Sequence, residues 1–218
     1  MERQTSESGK ASGADPVNGR PLRGRRPSTT RRHAARAALE LFAANGYEET
    51  TVEEVAAAAG ISRRTLFRYF PTKADLVWGD FDDELERLAD HLAAAPADEP
   101  IFDVVRRAVV ATNHFGAGAL DELRIRITLI TTVPALVAHS ALRYGDWLDV
   151  VARFAAGRLG VGPDDLRART VAHVALGAAT AAYEHWAAGG GDDPAPELDR
   201  ALGLVAGGFA GNGGVVGS

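Results

Sequence analysis

Apolar residues recur along this chain at intervals of three and four, with almost no strict alternation. That spacing turns one face of a 3.6-residue turn inward, so it predicts helices rather than strands. Ala35, Leu39 and Phe42 mark a first helix over residues 30–45, stopped by Gly46. Val52, Val55, Ala56 and Ala59 mark a second over 52–59, opened by Thr51 and Glu54 in capping-box order. A third runs over 63–70, between Ser62 as N-cap and Pro71. Thr72 caps a fourth through residue 91, with Val77, Phe81, Leu85, Leu88 and Leu92 as its stripe. Five more cover 101–115, 120–131, 134–159, 164–188 and 194–209. About nine helices and no credible strand make an all-α chain.

Composition divides this string of helices. Residues 1–22 are polar, with Ser, Gly, Asp and Pro and few large apolar groups, and read as a disordered tail. Residues 23–73 hold a basic arm and the first three helices, 74–210 the remaining ones, and 211–218 a flexible tail. Charge is split the same way: residues 1–73 carry net +5 and residues 74–218 net −10, within an overall −5. A basic third joined to an acidic remainder predicts two jobs on one chain. The absence of cysteine excludes disulfides, thiol catalysis and Cys-based zinc sites. No apolar h-region follows Met1, and the least polar stretch is broken by His173, Glu184 and His185. The expectation is a cytoplasmic protein with no membrane partner.

Function is most legible around Gly60. Ala59-Gly60-Ile61-Ser62 is short, and its glycine allows a left-handed residue, so two helices cross steeply as in a helix-turn-helix. The following helix reads Arg63-Arg64-Thr65-Leu66-Phe67-Arg68-Tyr69-Phe70. Leu66 and Phe70 share its inward face. Arg63, Arg64 and Thr65 lie at the N-terminal end, where a groove-inserted helix meets base edges; arginine pairs with guanine and the Thr methyl meets thymine. Three arginines in six positions, with no acid among them, argue against a merely solvated face.

These residues resemble the DNA-binding domain of the TetR family of bacterial transcriptional regulators. The likeness rests on Ala38-Leu39-Glu40-Leu41-Phe42 with Gly46-Tyr47, on Thr50-Thr51-Val52 before Glu54-Val55-Ala56, on Ala59-Gly60-Ile61-Ser62, and on Thr65-Leu66-Phe67-Arg68-Tyr69-Phe70 followed by Lys73 and Leu76. Two positions depart from the family pattern: Phe67 stands where a phosphate-contacting Tyr is usual, and Arg64 where a small residue is common. The resemblance implies that Ser62, Arg63, Arg64 and Thr65 form the reading end, with Tyr69 and Lys73 on phosphates. Thr51 would add a phosphate contact, and Arg25 and Arg26 of the arm would track the backbone or enter a minor groove. Beyond this domain, Val133-Pro134-Ala135-Leu136 with His139-Ser140, and Ala175-Leu176-Gly177-Ala178-Ala179 before Tyr183-Glu184, resemble TetR-type regulators associated with mycofactocin biosynthesis. That likeness implies a repressor released from a palindromic double-stranded operator by a small hydrophobic effector, with acyl-CoA as the leading class.

For the acidic part, the resemblance implies a homodimer built on the last two helices. Val171, Ala175, Ala178 and Ala182 offer small residues for close approach, and Leu198, Leu202, Val205 and Phe209 an apolar side. An internal core is the competing reading of the same stripes. Trp78, Phe81, Phe115, Tyr144 and Trp147, interleaved with Asn113, Arg124, His139 and Arg143, are the candidate effector-binding residues. For each one taken singly, ordinary core is the plainer reading. The six histidines show no H-x-x-x-H spacing, and neither G-x-S-x-G nor a phosphate-cradling glycine loop occurs. The expectation is therefore a non-enzyme needing neither metal nor cofactor. A helical module whose basic arm binds a partner other than DNA, or a regulator without a ligand, stays open at this point.

Overall fold

The computed structural model describes residues 27–113, 117–189 and 192–208. Both expected tails, the arm residues Arg25 and Arg26, and Phe115 and Phe209 lie outside the described residues. Ten helices and no strand are found among them. α1 (Pro27–Asn45), α2 (Val52–Ala58) and α3 (Arg63–Tyr69) form the N-terminal trio; α4 (Asp75–Trp78) and α5 (Phe81–Ala93) follow. α6 (Ile101–Thr112), α7 (Ala117–Thr132), α8 (Pro134–Leu159), α9 (Leu166–Ala187) and α10 (Ala195–Ala206) complete the bundle. No single described helix is long and apolar enough to cross a membrane.

Local chemistry explains most boundaries. Thr51 caps α2 through a complete capping box with Glu54. Pro134 starts α8 at a position where its missing N–H costs nothing, and Gly160 ends it at φ +65°. One boundary differs from expectation. The stretch 72–91 is two helices, because Gly79 takes φ +58° and breaks the run after Trp78. A Cβ there would lie 3.0 Å from Arg126 Nη2, the movable end of a long side chain, so it is the positive φ that favours glycine.

Two apolar cores hold the chain together. The first joins Leu39, Phe42, Val55, Leu66 and Phe70 of the N-terminal trio to Leu76, Val77 and Trp78 of α4, then to Leu129, Ile130 and Leu136. The N-terminal unit is thereby packed on α7 both directly, through α1, and through α4. The second unites α5, α6, α8, α9 and α10 around Val104, Val105, Val151, Ala172, Ala175 and Leu198. Small side chains let α8 and α9 approach closely: Ala155, Ala156 and Ala168 are all fully or nearly buried together.

That packing corrects part of the expected dimer face. Ala175, Ala182, Leu198 and Leu202 are at most 4% exposed within one chain. Their partners are helices of the same molecule, so they have no surface left for a second copy. Val171, Ala178 and Val205 are only partly covered. Within the chain, the buried part of the small-residue stripe packs against α8 and α10.

Candidate functional site

The turn between α2 and α3 is built as its sequence suggests. Gly60 stands at φ +65°, its N–H donating to Ala57 O, while Ile61 N–H reaches back to Ala56 O at 3.0 Å. That pair of bonds is a Schellman motif. α3 then starts at Ser62, whose Oγ accepts from the Thr65 N–H at 3.1 Å and lies 2.9 Å from Thr65 Oγ1. Leu66 and Phe70 are buried at 1% exposure, fixing the opposite edge of α3 outward. Arg63, Arg64 and Arg68 lie exposed along that edge.

The outward residues are not equivalent. Arg63 is held by Glu53 at 3.0 Å and lies over the Phe67 ring, so the acid missing from α3 is supplied by α2, a correction to the sequence reading. Arg64 is exposed and has no ion pair among the described residues. Arg68 donates to the Tyr69 hydroxyl at 3.3 Å and covers its ring. Lys73 sits 4.3 Å from the Tyr47 ring centroid and reaches Glu48 O at 3.4 Å. Thr51 donates its hydroxyl to Glu54 at 2.8 Å, and hydrogen bonds from Thr51 hold the Glu54 carboxyl below its usual range. A phosphate approaching that helix start meets the carboxylates of Glu53 and Glu54.

A second feature lies on the far side of α4. A cavity of about 110 Å³ is enclosed by α4 to α9. Trp78, Phe81, Asn113, Tyr144 and Trp147 are in its wall, as the sequence suggested. Trp78 is met edge-on by Phe81 at 5.0 Å and by Tyr144 at 5.6 Å between ring centroids. Tyr183 donates to Asn113 Oδ1, and burial pushes its hydroxyl far above the ordinary tyrosine range. Glu84 and Arg126 add a charged pair, 4.0 Å apart. Burial raises the Glu84 carboxyl above its ordinary value of 4.5, opposed first by Arg126 and then by Arg87.

Three expected lining residues are elsewhere. Arg124 donates to Trp186 O at 2.8 Å and Ala187 O at 3.3 Å, closing the C-terminal end of α9. His139 Nε2 is 3.2 Å from Asp75 Oδ1, tying α8 to α4. Arg143 bridges α8 to α5 through Asp82 at 2.7 Å, over the Phe81 ring. The unforeseen cationic member is Arg126. Its signal was periodicity: Leu123, Arg126, Ile127 and Ile130 recur at i, i+3, i+4 and i+7 and all line the cavity. Arg124, two residues away, faces the other side.

A glycine-turned helix pair presenting arginines, seated on a helical domain with its own cavity, defines the helix-turn-helix transcriptional regulators with a helical C-terminal domain. Residues 35–77 match the family described as bacterial regulatory proteins, tetR family, and residues 99–210 match the MftR C-terminal domain. The chain belongs to the TetR family of transcriptional regulators. It is 41% identical over 182 residues to the Mycobacterium tuberculosis protein designated mycofactocin biosynthesis transcriptional regulator MftR, covering 84% of this chain and 90% of that one. It is 35% identical to the HTH-type transcriptional regulator TcmR of Streptomyces glaucescens, covering 68% of each. Among solved structures it is similar to the TetR-family repressor FadR of Thermus thermophilus, in complex with lauroyl-CoA. That likeness has a TM-score of 0.56 and 25% identity, and covers 86% of this chain and all of FadR.

Proposed function

We propose that this chain is a cytoplasmic homodimeric repressor that leaves a near-palindromic operator when a small hydrophobic effector, an acyl-CoA, enters the cavity between α4 and α9. The observation that carries this reading is the position of the cavity against the junction of the two halves. Trp78 ends α4, and Gly79 O accepts from Arg31 Nη2 of α1 at 3.0 Å. Arg32 of α1 holds Asp80 at 3.2 Å. From the cavity side, the Arg126 guanidinium abuts Gly79. A ligand that moves Trp78 or Arg126 therefore acts on the residues that seat α1, and through α1 on α3.

The lever is short. With the chain broken at Gly79, only α4 lies between the reading helix and the hinge, while α5 beyond it belongs to the second core. An effector shifts the balance only by binding the released arrangement better than the DNA-bound one. Acyl-CoA is supported by the largely apolar wall of the cavity and by the FadR complex with lauroyl-CoA. Base reading is assigned to Arg63, Arg64 and Thr65, with Ser62 positioning Thr65. Backbone contact is assigned to Thr51, Tyr69 and Lys73, together with Arg25 and Arg26. The dimer face is assigned to the outward sides of α9 and α10, where Leu166, Val174 and Leu204 are exposed.

The test is a gel shift on operator DNA with acyl-CoAs of several chain lengths, run in parallel with Trp147→Ala. Release that depends on chain length, and is weakened in the variant, is expected. DNA binding unaffected by every chain length removes the effector and leaves the DNA-binding role standing.

A further inference from the structure

The cavity wall is mostly apolar, with Leu85, Leu88, Val109, Leu123, Ile127 and Ile130 in it. One corner is not. Glu84 of α5 and Arg126 of α7 both line the cavity, and Glu84 Oε1 lies 4.0 Å from Arg126 Nη1. Tyr183 of α9 belongs to the same corner: the charges of Glu84 and Arg126 both act on its hydroxyl, whose proton is spent on Asn113 Oδ1. Among the described residues, neither Glu84 carboxylate oxygen and neither Arg126 Nη makes a hydrogen bond. Unlike Arg126 Nε, none of these four atoms is sealed inside protein, and the two side chains keep 27% and 17% of their surface accessible. Charged groups drawn out of water with their hydrogen-bonding capacity unused are costly.

The gap between them has the size of one oxygen atom. At 4.0 Å the pair is too far apart for a direct hydrogen bond. Two bonds of about 2.8 Å, meeting at roughly a right angle on one oxygen, span that distance. Such an oxygen must donate to the carboxylate and accept from the guanidinium, which a hydroxyl does and a halide or an ether does not. Charge narrows the choice further. A carboxylate ligand meets its own sign in Glu84, an ammonium meets its own in Arg126, and a neutral group meets neither. Glu184, the other carboxylate of the wall, exerts its charge on Tyr144.

We infer that Glu84 and Arg126 form a hydroxyl-recognition subsite, which seats one neutral O–H of an otherwise apolar effector between the carboxylate and the guanidinium. This inference rests on the reading of the cavity as the effector site, and it names a group that the effector carries on its alkyl or acyl chain. Because the same guanidinium abuts Gly79, occupation of the subsite is felt at the junction of the two halves.

The experiment titrates the full chain with 1-hexanol, 1-chlorohexane, hexylamine and hexanoate, and separately with lauroyl-CoA. Tryptophan fluorescence follows binding, since Trp78 and Trp147 stand in the wall. 1-Hexanol is expected to bind at least about tenfold more tightly than 1-chlorohexane, because a site built to hydrogen-bond a hydroxyl rejects the analogue lacking it. It should also bind more tightly than either charged probe. In Arg126→Met and in Glu84→Met, which keep an unbranched chain and remove the polar group, the preference for hexanol over chlorohexane should shrink several-fold while chlorohexane binding holds. Circular dichroism checks that each variant is folded, and the comparison of probes on the native chain needs neither. Equal affinity of the native chain for hexanol and chlorohexane, or binding of lauroyl-CoA alone, overturns the subsite and leaves the effector reading intact. Hexylamine or hexanoate binding as tightly as hexanol overturns the preference for a neutral hydroxyl. Folded variants that keep the full preference overturn the assignment to Glu84 and Arg126. If neither lauroyl-CoA nor any short probe binds, the effector reading itself fails and the subsite with it.

Discussion

Arg64 and Lys73 are both cations near the reading helix, yet their surroundings separate their roles. Arg64 is exposed and free of ion pairs among the described residues, so its guanidinium is available for a bidentate contact with a base edge. Lys73 lies against the Tyr47 ring and the Glu48 carbonyl and is the residue proposed to hold the backbone. Arg64→Ala should cost about 1–3 kcal/mol of operator affinity and relax base preference at one position. Lys73→Ala should weaken all duplexes alike and reduce the salt slope by about one. Binding titrations on operator and scrambled duplexes at several salt concentrations read both. An equal, sequence-independent loss for the two variants rejects the division.

Glu84 supplies the pH dependence at the same scale. Its folded carboxyl holds a proton more tightly than the unfolded one, because burial disfavours the charge. Stability is therefore lost as pH rises from about 4.5 through the raised folded value. Glu84→Gln should melt like the native chain at about pH 4 and a few degrees higher at about pH 8, as followed by circular dichroism. A lower melting temperature at both pH values would show that attraction to Arg126 outweighs the desolvation.

At the scale of elements, the α2–α3 turn depends on one backbone conformation. Gly60 sits at φ +65° with open space where a Cβ would be, so an alanine there suffers strain without a clash. Gly60→Ala should destabilise the chain by about 1–2 kcal/mol, the cost of an L residue in the left-handed region, and lower operator affinity by tilting α3. Thermal melts and gel shifts on the same sample check the pair of effects; unchanged melting would mean that the turn relaxes to another conformation. The element boundary at Gly79 taught the opposite lesson. Val77, Phe81, Leu85 and Leu88 keep a helical period across it, so the apolar pattern alone draws one helix where the chain makes two. At the break, Arg126 lies beside Gly79 and Arg31 donates to its carbonyl, both remote in sequence.

For the whole molecule, the outward faces of α9 and α10 are the surface proposed for a second copy. Val174 is 39% and Leu204 44% exposed, large apolar groups that their own chain covers only in part. A charge placed there should disrupt association while leaving each fold intact, since neither side chain is in the core. Val174→Glu with Leu204→Glu is expected to elute as a monomer in light-scattering chromatography and to lose operator affinity, because two half-sites are then bound singly. A dimer persisting in the double variant places the interface elsewhere. Footprinting on the native chain should show two protected half-sites separated by about one helical turn, roughly 34 Å, or a multiple of it.

What the sequence determined by itself is local in origin. Helix periodicity, the Thr51–Glu54 box, Ser62 as N-cap and the glycine turn all depend on residues within a few positions of each other, and each stands in the structure as the residue order specifies. The family likeness was legible for the same reason, its motifs being short and contiguous. Only the tertiary structure decided which helix each stripe faces. Ala175 and Leu198 read first as interface and only second as core until α6 and α8 covered them, and Arg63 looked unpaired until Glu53 arrived from the preceding helix. Arg124 and Arg126 are alike as letters and two positions apart. A 3.6-residue turn sends one to the end of α9 and the other to the cavity wall beside Gly79, and neither destination exists before the helices pack.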